Sequence, residues 1–193
     1  MGAIISYPRG GEIFGEEEAT DYLYQVVTGS VRTYKVLNDG RRQIGGFYLP
    51  GDIFGLEFGD EHAFSAEPMT DTKVRVIKRR ALHDLAERNP SIARELIFHT
   101  GVELRQMQKR MLLLIMSAQE RVASFLLEVA ERAPAQPAID LAMSRQDIAD
   151  YLGMTIETVS RTLTALEASA AIELQGSRHI VLRNRNTLNR LNG

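Results

Sequence analysis

Two amphipathic helical patterns, joined by only three residues, constrain the fold of this chain more than any other feature. The first pattern, SRQDIADYLG, places Ser144 at a helix N-cap and Asp147 where a capping box needs its acidic partner. It ends at Gly153, a residue type that commonly terminates helices. A second pattern follows at once, with Thr155 as its cap and Ala168 near its end. Two amphipathic helices around a tight turn predict a helix-turn-helix.

The residues that follow this helix pair predict a β-hairpin. The runs AIEL and HIVL flank QGSR, with Gly176 in the turn. A hairpin in this place is a wing, so the C-terminal region is predicted to be a winged helix-turn-helix. Upstream, IDLAM is a strand candidate, and an amphipathic helix is predicted at 119–132. The two prolines of APAQPA, at 133–138, predict a loop between them.

The second helix of the pair has two distinct faces. Apolar side chains recur at i, i+3, i+7 and i+10 and predict a buried face, formed by Ile156, Val159, Leu163 and Leu166. Polar side chains recur at i, i+3, i+4 and i+7 and form what we call the polar stripe: Glu157, Ser160, Arg161 and Thr164. The helix before it is expected to bury Ile148, Ala149 and Leu152.

The chemistry of the polar stripe suits the DNA major groove. An arginine such as Arg161 can donate two hydrogen bonds to guanine, and a carboxylate such as Glu157 can accept one from cytosine. A serine such as Ser160 can contact a base edge or a thymine methyl group. We therefore predict these three as base-contacting residues. Because Glu157 and Arg161 are four residues apart, we also expect each to hold the other in place.

Other polar residues around the helix pair are predicted to contact the DNA backbone. Arg145 and Thr155 lie at the starts of the two helices, where free N–H groups attract phosphate. The residues predicted to contact the DNA backbone are Arg145, Thr155, Thr158, Thr164 and Arg178. Residues 139–193 carry six arginines and six carboxylates, so one domain attracts phosphate weakly and dimeric binding is expected. The alternative is that Glu157 and Arg161 form only a solvated pair of ~0.2–0.5 kcal/mol.

Residues 4–80 have the pattern of an antiparallel β domain. Short apolar runs alternate with turn signals, and the segment VVTGSVRTYKVLNDGRRQIGGFYL predicts two successive hairpins. Gly29-Ser30 would form the first turn and Asn38-Asp39-Gly40 the second. A closing strand is predicted at 73–79. Many short strands at this spacing favour a sandwich or a barrel over a parallel sheet.

The character of the chain changes near Arg80. A short helix is predicted to end at Asn89-Pro90, and a long helix follows with Ser91 as its cap. Along it, a heptad pattern that we call the seam runs through Ile97, Thr100, Leu104, Met107, Met111 and Leu114. A seam of this length next to a β domain favours pairing with a second copy of the chain. The alternative is a helix that packs on its own domain.

The chain resembles the CRP/FNR superfamily of bacterial transcription regulators, and within it the FNR/FixK branch. The resemblance covers nearly the whole length and is most specific in YLGMTIETVSR, where an E-x-x-S-R motif falls on Glu157, Ser160 and Arg161. It implies an α+β fold: an N-terminal double-stranded β-helix, which is a cyclic-nucleotide-binding-like β-roll (1–90), then a long dimerisation helix (91–117) and a winged helix-turn-helix (118–193).

The same resemblance implies a function. In the family the motif contacts the TTGA half-site, so a homodimeric activator of a TTGA-N6-TCAA-like palindrome is expected, in microaerobic or nitrogen-fixation control. The turn at Asn38, Asp39 and Arg41 resembles the loop that contacts RNA polymerase, although a plain hairpin turn explains it equally well.

The chain also departs from its superfamily at the sites that hold effectors. It contains no cysteine, so the cysteine-bound iron–sulfur cluster of FNR has no ligands here. The cyclic-nucleotide branch uses an arginine before a serine to bind phosphate, but Phe64 precedes Ser65 in this chain, and phenylalanine cannot pair with a phosphate. We therefore expect no small-molecule cofactor. A haem-sensing or other ligand-sensing regulator is the alternative, with His62 or His99 as potential axial ligands.

Several classes of protein are disfavoured by what the sequence lacks. No apolar run approaches the roughly 18 residues of a membrane helix, and the N-terminus does not resemble a signal peptide, so a cytoplasmic protein is expected. No nucleotide-binding loop or Ser–His–Asp pattern occurs, so we predict no enzyme.

Overall fold

The computed structural model describes residues 2–57, 59–132 and 138–191. The chain divides into two compact units, residues 1–108 and 109–193. Unit 1 contains seven β-strands among its described residues: β1 (Ala3–Tyr7), β2 (Tyr22–Thr28), β3 (Val31–Val36), β4 (Arg42–Tyr48), β5 (Ile53–Phe54), β6 (Ser65–Pro68) and β7 (Thr72–Lys78). Helix α1 (Arg79–Arg88) follows, and α2 (Pro90–Leu112) begins in this unit.

The strands of unit 1 form two antiparallel sheets, ordered β1-β7-β2-β5 and β4-β3-β6. Of the two predicted hairpins, the one that turns at Asn38-Asp39-Gly40 is confirmed, because β3 pairs with β4 from Val31↔Tyr48 to Val36↔Arg42. The other is wrong. The turn at Gly29 carries the chain from one sheet to the other, so β2 pairs with β5 and β7 and not with β3. The predicted closing strand is β7, which pairs on both sides.

The core of unit 1 is a cluster of apolar and aromatic side chains between the two sheets. Its buried members are Phe14, Tyr24, Val26, Val31, Tyr48, Phe54, Ala66 and Val74. The ring of Tyr24 lies 5.0 Å from that of Phe14 and 5.2 Å from that of Phe54, distances at which aromatic pairs attract. This layered β arrangement is the predicted β-roll.

The start of α2 differs from the prediction in its capping residue. Asn89, not Ser91, supplies the cap: its Oδ1 accepts from the Ser91 backbone N–H at 3.1 Å and from the Ser91 hydroxyl at 2.8 Å. Pro90 occupies the first helical turn, where a missing N–H costs nothing.

The end of α2 also differs, because the helix stops at Leu112 and not at residue 117. The N–H groups of Leu113, Leu114 and Ile115 bond three residues back, which is a tighter turn than an α-helix.

Unit 2 contains helices and one small sheet. Its elements are α3 (Ala118–Arg132), β8 (Ala138–Asp140), α4 (Arg145–Leu152), α5 (Ile156–Ala168), β9 (Ile172–Gln175), β10 (His179–Leu182) and α6 (Arg185–Leu191). The three strands form an antiparallel sheet in the order β8-β10-β9, which confirms the predicted hairpin and strand. Residues 133–137 of the predicted loop lie outside the described residues.

Helix α6 was not expected from the sequence. Asn184 accepts a hydrogen bond from the Thr187 backbone N–H at 3.1 Å, as a cap does, and Leu188 is completely buried. Among the described residues, no helix is both long enough and apolar enough to span a membrane.

Candidate DNA interface

The turn between α4 and α5 is set by three residues. Gly153 adopts a left-handed conformation (φ 64°) that favours glycine, and its N–H donates to the Ala149 carbonyl. The Met154 N–H donates to the same carbonyl at 3.0 Å. Thr155 is extended, and its hydroxyl oxygen accepts from the Thr158 N–H at 3.2 Å, so it caps α5 as predicted. The two helices are therefore joined at a fixed angle.

Buried side chains fix which face of α5 points outward. Ile148, Ala149 and Leu152 of α4 are buried, as predicted, and so are three of the four predicted residues of α5: Val159, Leu163 and Leu166. The fourth, Ile156, is 37% exposed because it lies in the first turn, at the rim of the packed surface. Thr162 is buried in addition.

The polar stripe of α5 lies on the surface. Glu157, Ser160, Arg161 and Thr164 are all exposed. The Thr164 hydroxyl donates to the Ser160 carbonyl at 3.1 Å. Among the described residues, the side chains of Ser160 and Arg161 make no hydrogen bond, so both remain available to a partner. The stripe therefore presents a hydroxyl, a carboxylate and a guanidinium on one rigid helix.

The structure does not bring Glu157 and Arg161 into a salt bridge within the described part of the chain. The pKa of Glu157 is lowered first by its own backbone N–H and then by the Thr155 hydroxyl, with the Arg161 charge a weaker cause. The expectation that the two side chains fix each other is wrong, because no salt bridge joins them and the helix start lowers the pKa of Glu157 more than Arg161 does. The Arg161 guanidinium is thereby left unrestrained.

The predicted backbone contacts lie around this stripe at the helix starts and in the wing. Burial lowers the pKa of Arg145, at the start of α4, and its Nη1 has no hydrogen-bond partner among the described residues. Thr155 is exposed, whereas Thr158 is half-buried, and their hydroxyls lie 3.1 Å apart. Arg178 is exposed in the turn between β9 and β10. Their roles toward phosphate stay predictions.

Two residues that support α5 and the turn were not found from the sequence. Arg121 of α3 donates from Nη1 to the Leu152 carbonyl and from Nε to the Met116 carbonyl, each at 3.0 Å. Glu167 accepts the Leu174 N–H at 2.9 Å and so ties the wing to the end of α5. Each of these bonds joins a side chain to a backbone atom of another segment, and the bond from Arg121 to Leu152 spans 31 residues, so no helix or turn pattern indicates them.

The seam of α2 is largely uncovered. Ile97 is 72% exposed and Met111 is 69% exposed, and Leu104 and Met107 are also exposed. Thr100 is half-buried, and its hydroxyl donates to the Leu96 carbonyl at 2.9 Å. Leu114 lies beyond the helix end, so the helical seam is one residue shorter than predicted. The alternative, in which these residues pack on their own domain, does not account for such exposure.

The side of α2 next to the seam carries a contact to the β-roll. The Tyr48 hydroxyl donates to Glu103 at 3.2 Å. Ile92, Leu96 and His99 on this side are half-buried. The helix therefore has one face on its own domain and another, the seam, that faces outward.

The turn between β3 and β4 is compact and exposed. Asp39 accepts the Arg41 backbone N–H at 3.0 Å and its Nε–H at 2.7 Å, and these bonds lower the pKa of Asp39. Gly40 has a φ of 82°, which favours glycine, and Asn38 precedes the pair at the exposed tip.

The segment that would hold a cyclic-nucleotide phosphate has no suitable cation in this chain. Phe64 lies against Gly45, where an added Cβ would come within 2.9 Å of the phenyl ring. The Ser65 hydroxyl oxygen already accepts a hydrogen bond from the Glu16 backbone N–H at 2.9 Å. An apolar ring and a bonded hydroxyl do not fit an anionic phosphate.

The two histidines considered for haem differ in accessibility. The ring of His62 is buried and stacked on Phe14 with centroids 3.7 Å apart, and its Nδ1 lies 3.2 Å from Glu57. This packing leaves no place for a haem plane at His62. His99 is half-buried on α2 and its ring contacts Phe98.

A β-roll, a long helix with an exposed apolar seam and a winged helix-turn-helix define a DNA-binding transcription regulator. Two family models match the chain: the cyclic nucleotide-binding domain over residues 4–89 and the Crp-like helix-turn-helix domain over residues 120–191. Together with the relatives described next, these matches show that the chain belongs to the CRP/FNR family of transcription regulators, among the FixK/FNR-type activators.

Two relatives are nitrogen fixation regulation proteins named FixK. That of Azorhizobium caulinodans is 46% identical, over 99% of this chain and 79% of the relative. That of Rhizobium meliloti is 42% identical, over 92% of this chain and 81% of the relative. The solved structure of FixK2 from Bradyrhizobium japonicum superposes with a TM-score of 0.95 at 49% identity, covering 100% of this chain and 98% of that one. These matches confirm the predicted family and fold.

Proposed function

We propose that this protein is a sequence-specific transcription activator that binds a TTGA-N6-TCAA-like palindrome as a homodimer, without a small-molecule cofactor. The observation that carries the proposal is the polar stripe: on α5, Ser160 and Arg161 are exposed and make no side-chain hydrogen bond within the described residues. A helix fixed by its turn and its buried face can present these groups to the major groove without rearrangement.

Each side chain of the stripe has a role in this proposal. Arg161 donates two hydrogen bonds to the guanine of TTGA, and Glu157 accepts from a cytosine amino group. Ser160 contacts the adjacent base edge or a thymine methyl group. Arg145, Thr155, Thr158, Thr164 and Arg178 contact phosphates and set the register of the helix on the duplex.

Homodimerisation through α2 is the second part of the proposal. The exposed fractions of Ile97, Leu104 and Met111 support it, because side chains of this size rarely form a continuous exposed row on a monomer. Two copies of the seam would cover each other as a coiled coil. The paired residues would be Ile97, Thr100, Leu104, Met107 and Met111, with Leu114 beyond the helix end. A two-fold dimer spaces its recognition helices by about 34 Å, one turn of DNA.

Contact with RNA polymerase is the third part. The exposed turn of Asn38, Asp39 and Arg41 offers a preformed polar surface for it. A protein with these partners acts in the cytoplasm, and the relatives' names support a regulatory, non-enzymatic role in nitrogen fixation.

Selection from random double-stranded DNA with the full chain tests this function. Enrichment of TTGA and TCAA separated by six base pairs is expected. Enrichment of one isolated half-site would contradict the homodimer, and enrichment of unrelated sequences would contradict the assigned base contacts. The ligand-sensing alternative makes a different prediction. If the ligand is haem, the purified protein should show a Soret absorption band, and only the haem-bound protein should enrich specific DNA sequences.

A further inference from the structure

A cavity of about 790 Å³, open to the surface, is lined by residues of unit 1 and shares no lining residue with the polar stripe. It lies among β1, β2, β7 and the start of α1, and three tyrosines line it: Tyr7, Tyr22 and Tyr24. None of the described residues of 55–66, the segment in which the superfamily binds cyclic-nucleotide phosphate, is part of its lining. We call it the tyrosine cavity. Its volume is within the range of small-molecule sites.

The Tyr24 hydroxyl has no hydrogen-bond partner among the described residues, although the side chain is only 6% exposed. The ring packs in the core against Phe14 and Phe54. The groups that act on its phenol electrostatically are Tyr7, Glu18, Tyr22 and Asp21, and all of them line the cavity. The hydroxyl end therefore faces the cavity. This hydroxyl is accessible from the cavity, and a bound molecule would supply a hydrogen-bond partner for it.

The charge of the tyrosine cavity is negative on balance. Two carboxylates, Glu18 and Asp21, line it, and neither forms a salt bridge within the described residues. One ammonium group, Lys78, is also part of the lining, but it is not among the charges that act on Tyr24. The remaining walls are apolar, with Ile5, Ile13 and Val76 among them.

Tyrosine rings and carboxylates together suit one class of ligand. The negative face of an aromatic ring attracts a cation that lies within about 6 Å, and an organic ammonium loses less hydration than a metal ion when it enters an apolar site. An anion would meet two uncompensated carboxylates, and a neutral molecule would leave them unused.

We propose that the tyrosine cavity binds a small organic cation with an apolar body, held between the tyrosine rings and the carboxylates of Glu18 and Asp21. The site is additional to DNA binding and does not depend on the proposed function. Because the lining joins three strands and α1, an occupied cavity would hold these elements together more firmly.

Three probes that share one aromatic ring and differ in charge test the proposal on the full chain: benzyltrimethylammonium, benzyl alcohol and phenylacetate. Calorimetry gives their affinities. The chain has no tryptophan and six tyrosines, three of which line the cavity, so intrinsic fluorescence reports occupancy as well. Saturable binding of benzyltrimethylammonium, roughly tenfold tighter than benzyl alcohol, is expected. Binding that does not saturate, or tighter binding of phenylacetate, would overturn the proposal.

Variants locate the bound cation. Glu18→Gln removes one exposed carboxylate without altering the core, and Tyr22→Leu removes one ring. Both variants should bind benzyltrimethylammonium several-fold more weakly than the unmodified chain. Glu61→Gln and Tyr34→Leu change residues outside the cavity and should leave this affinity unchanged. Equal affinity of Glu18→Gln and the unmodified chain would overturn the site. DNA binding by each variant serves as the test of folding, and it is independent of the cation.

Discussion

Ser144 and Asp147 hold each other reciprocally at the start of α4. The Asp147 N–H donates to the Ser144 hydroxyl oxygen at 3.1 Å, and the Ser144 N–H and hydroxyl donate to Asp147 Oδ2 at 2.9 and 2.7 Å. This capping box satisfies N–H groups that a helix start otherwise leaves unbonded. It fixes the helix that precedes α5, and so the position of the polar stripe.

The capping box predicts a measurable loss of stability. Ser144→Ala should lower the free energy of unfolding by about 1 kcal/mol, as measured by urea denaturation, and should speed hydrogen exchange at the Asp147 amide. Ser177→Ala is the matched control, because Ser177 is exposed and its hydroxyl has no bond among the described residues. If the two variants were equally stable, the box would have no structural role.

The seam predicts the oligomeric state. Leu104→Glu places a charge on the row proposed to pair, so sedimentation velocity should show a monomer where the unmodified chain is a dimer. Val36→Glu is the control, since Val36 is 55% exposed and Leu104 56%. A dimer that survives Leu104→Glu, or one lost equally in Val36→Glu, would contradict pairing through α2.

The buried Tyr24 predicts a loss of stability at alkaline pH. Burial, and then the charges of Tyr7, Glu18, Tyr22 and Asp21, raise the pKa of Tyr24 from 10.0 to about 12. The unfolded chain therefore releases its proton at lower pH than the native chain, so stability is full below about pH 10 and falls until about pH 12. The loss is on the order of 2 kcal/mol.

Urea unfolding at a series of pH values measures this effect. Tyr24→Phe should be less sensitive to pH between about 10 and 12 than the unmodified chain, because it has no phenol to ionise there. An unchanged pH dependence in Tyr24→Phe would show that another group titrates.

The turn between β3 and β4 predicts a separation of activation from DNA binding. Asp39→Ala removes both hydrogen bonds that orient Arg41, so transcription from a TTGA promoter should fall several-fold while DNA affinity is unchanged. Asp84→Ala, which removes an exposed carboxylate from α1, is the control. If Asp39→Ala activated transcription as well as the unmodified chain, the proposed contact between this turn and RNA polymerase would be contradicted.

The helix-turn-helix could be predicted in detail because its signals are local. Ser144, Gly153 and Thr155 each act on backbone atoms within four residues, and the structure places all three as predicted. Side-chain chemistry alone leaves two interpretations of the polar stripe: base contacts, or a solvated pair of Glu157 and Arg161. The family resemblance favours base contacts.

The wrong predictions concern hydrogen-bond partners. In some cases the partner is distant in sequence, and in others two nearby groups compete for the same partner. The sequence predicts the turn at Gly29, but no local signal indicates whether the next strand joins the same sheet. The sequence pattern predicts Ser91 as the cap of α2, but Asn89, two residues earlier, accepts its hydrogen bonds. In the same way, the four-residue spacing predicts that Glu157 pairs with Arg161, whereas the backbone N–H at the helix start and Thr155 lower the pKa of Glu157 more strongly.

The polar stripe itself is tested most directly by DNA affinity at the guanine of TTGA. Fluorescence anisotropy with the palindrome, and with each other base at that position, compares the unmodified chain, Arg161→Ala and the control Arg190→Ala. Arg190 is exposed on α6 and donates to Thr187 at 3.2 Å. Arg161→Ala should lose ~1–3 kcal/mol per half-site and its preference for guanine, whereas Arg190→Ala should keep both. Unchanged affinity and preference in Arg161→Ala would contradict the account.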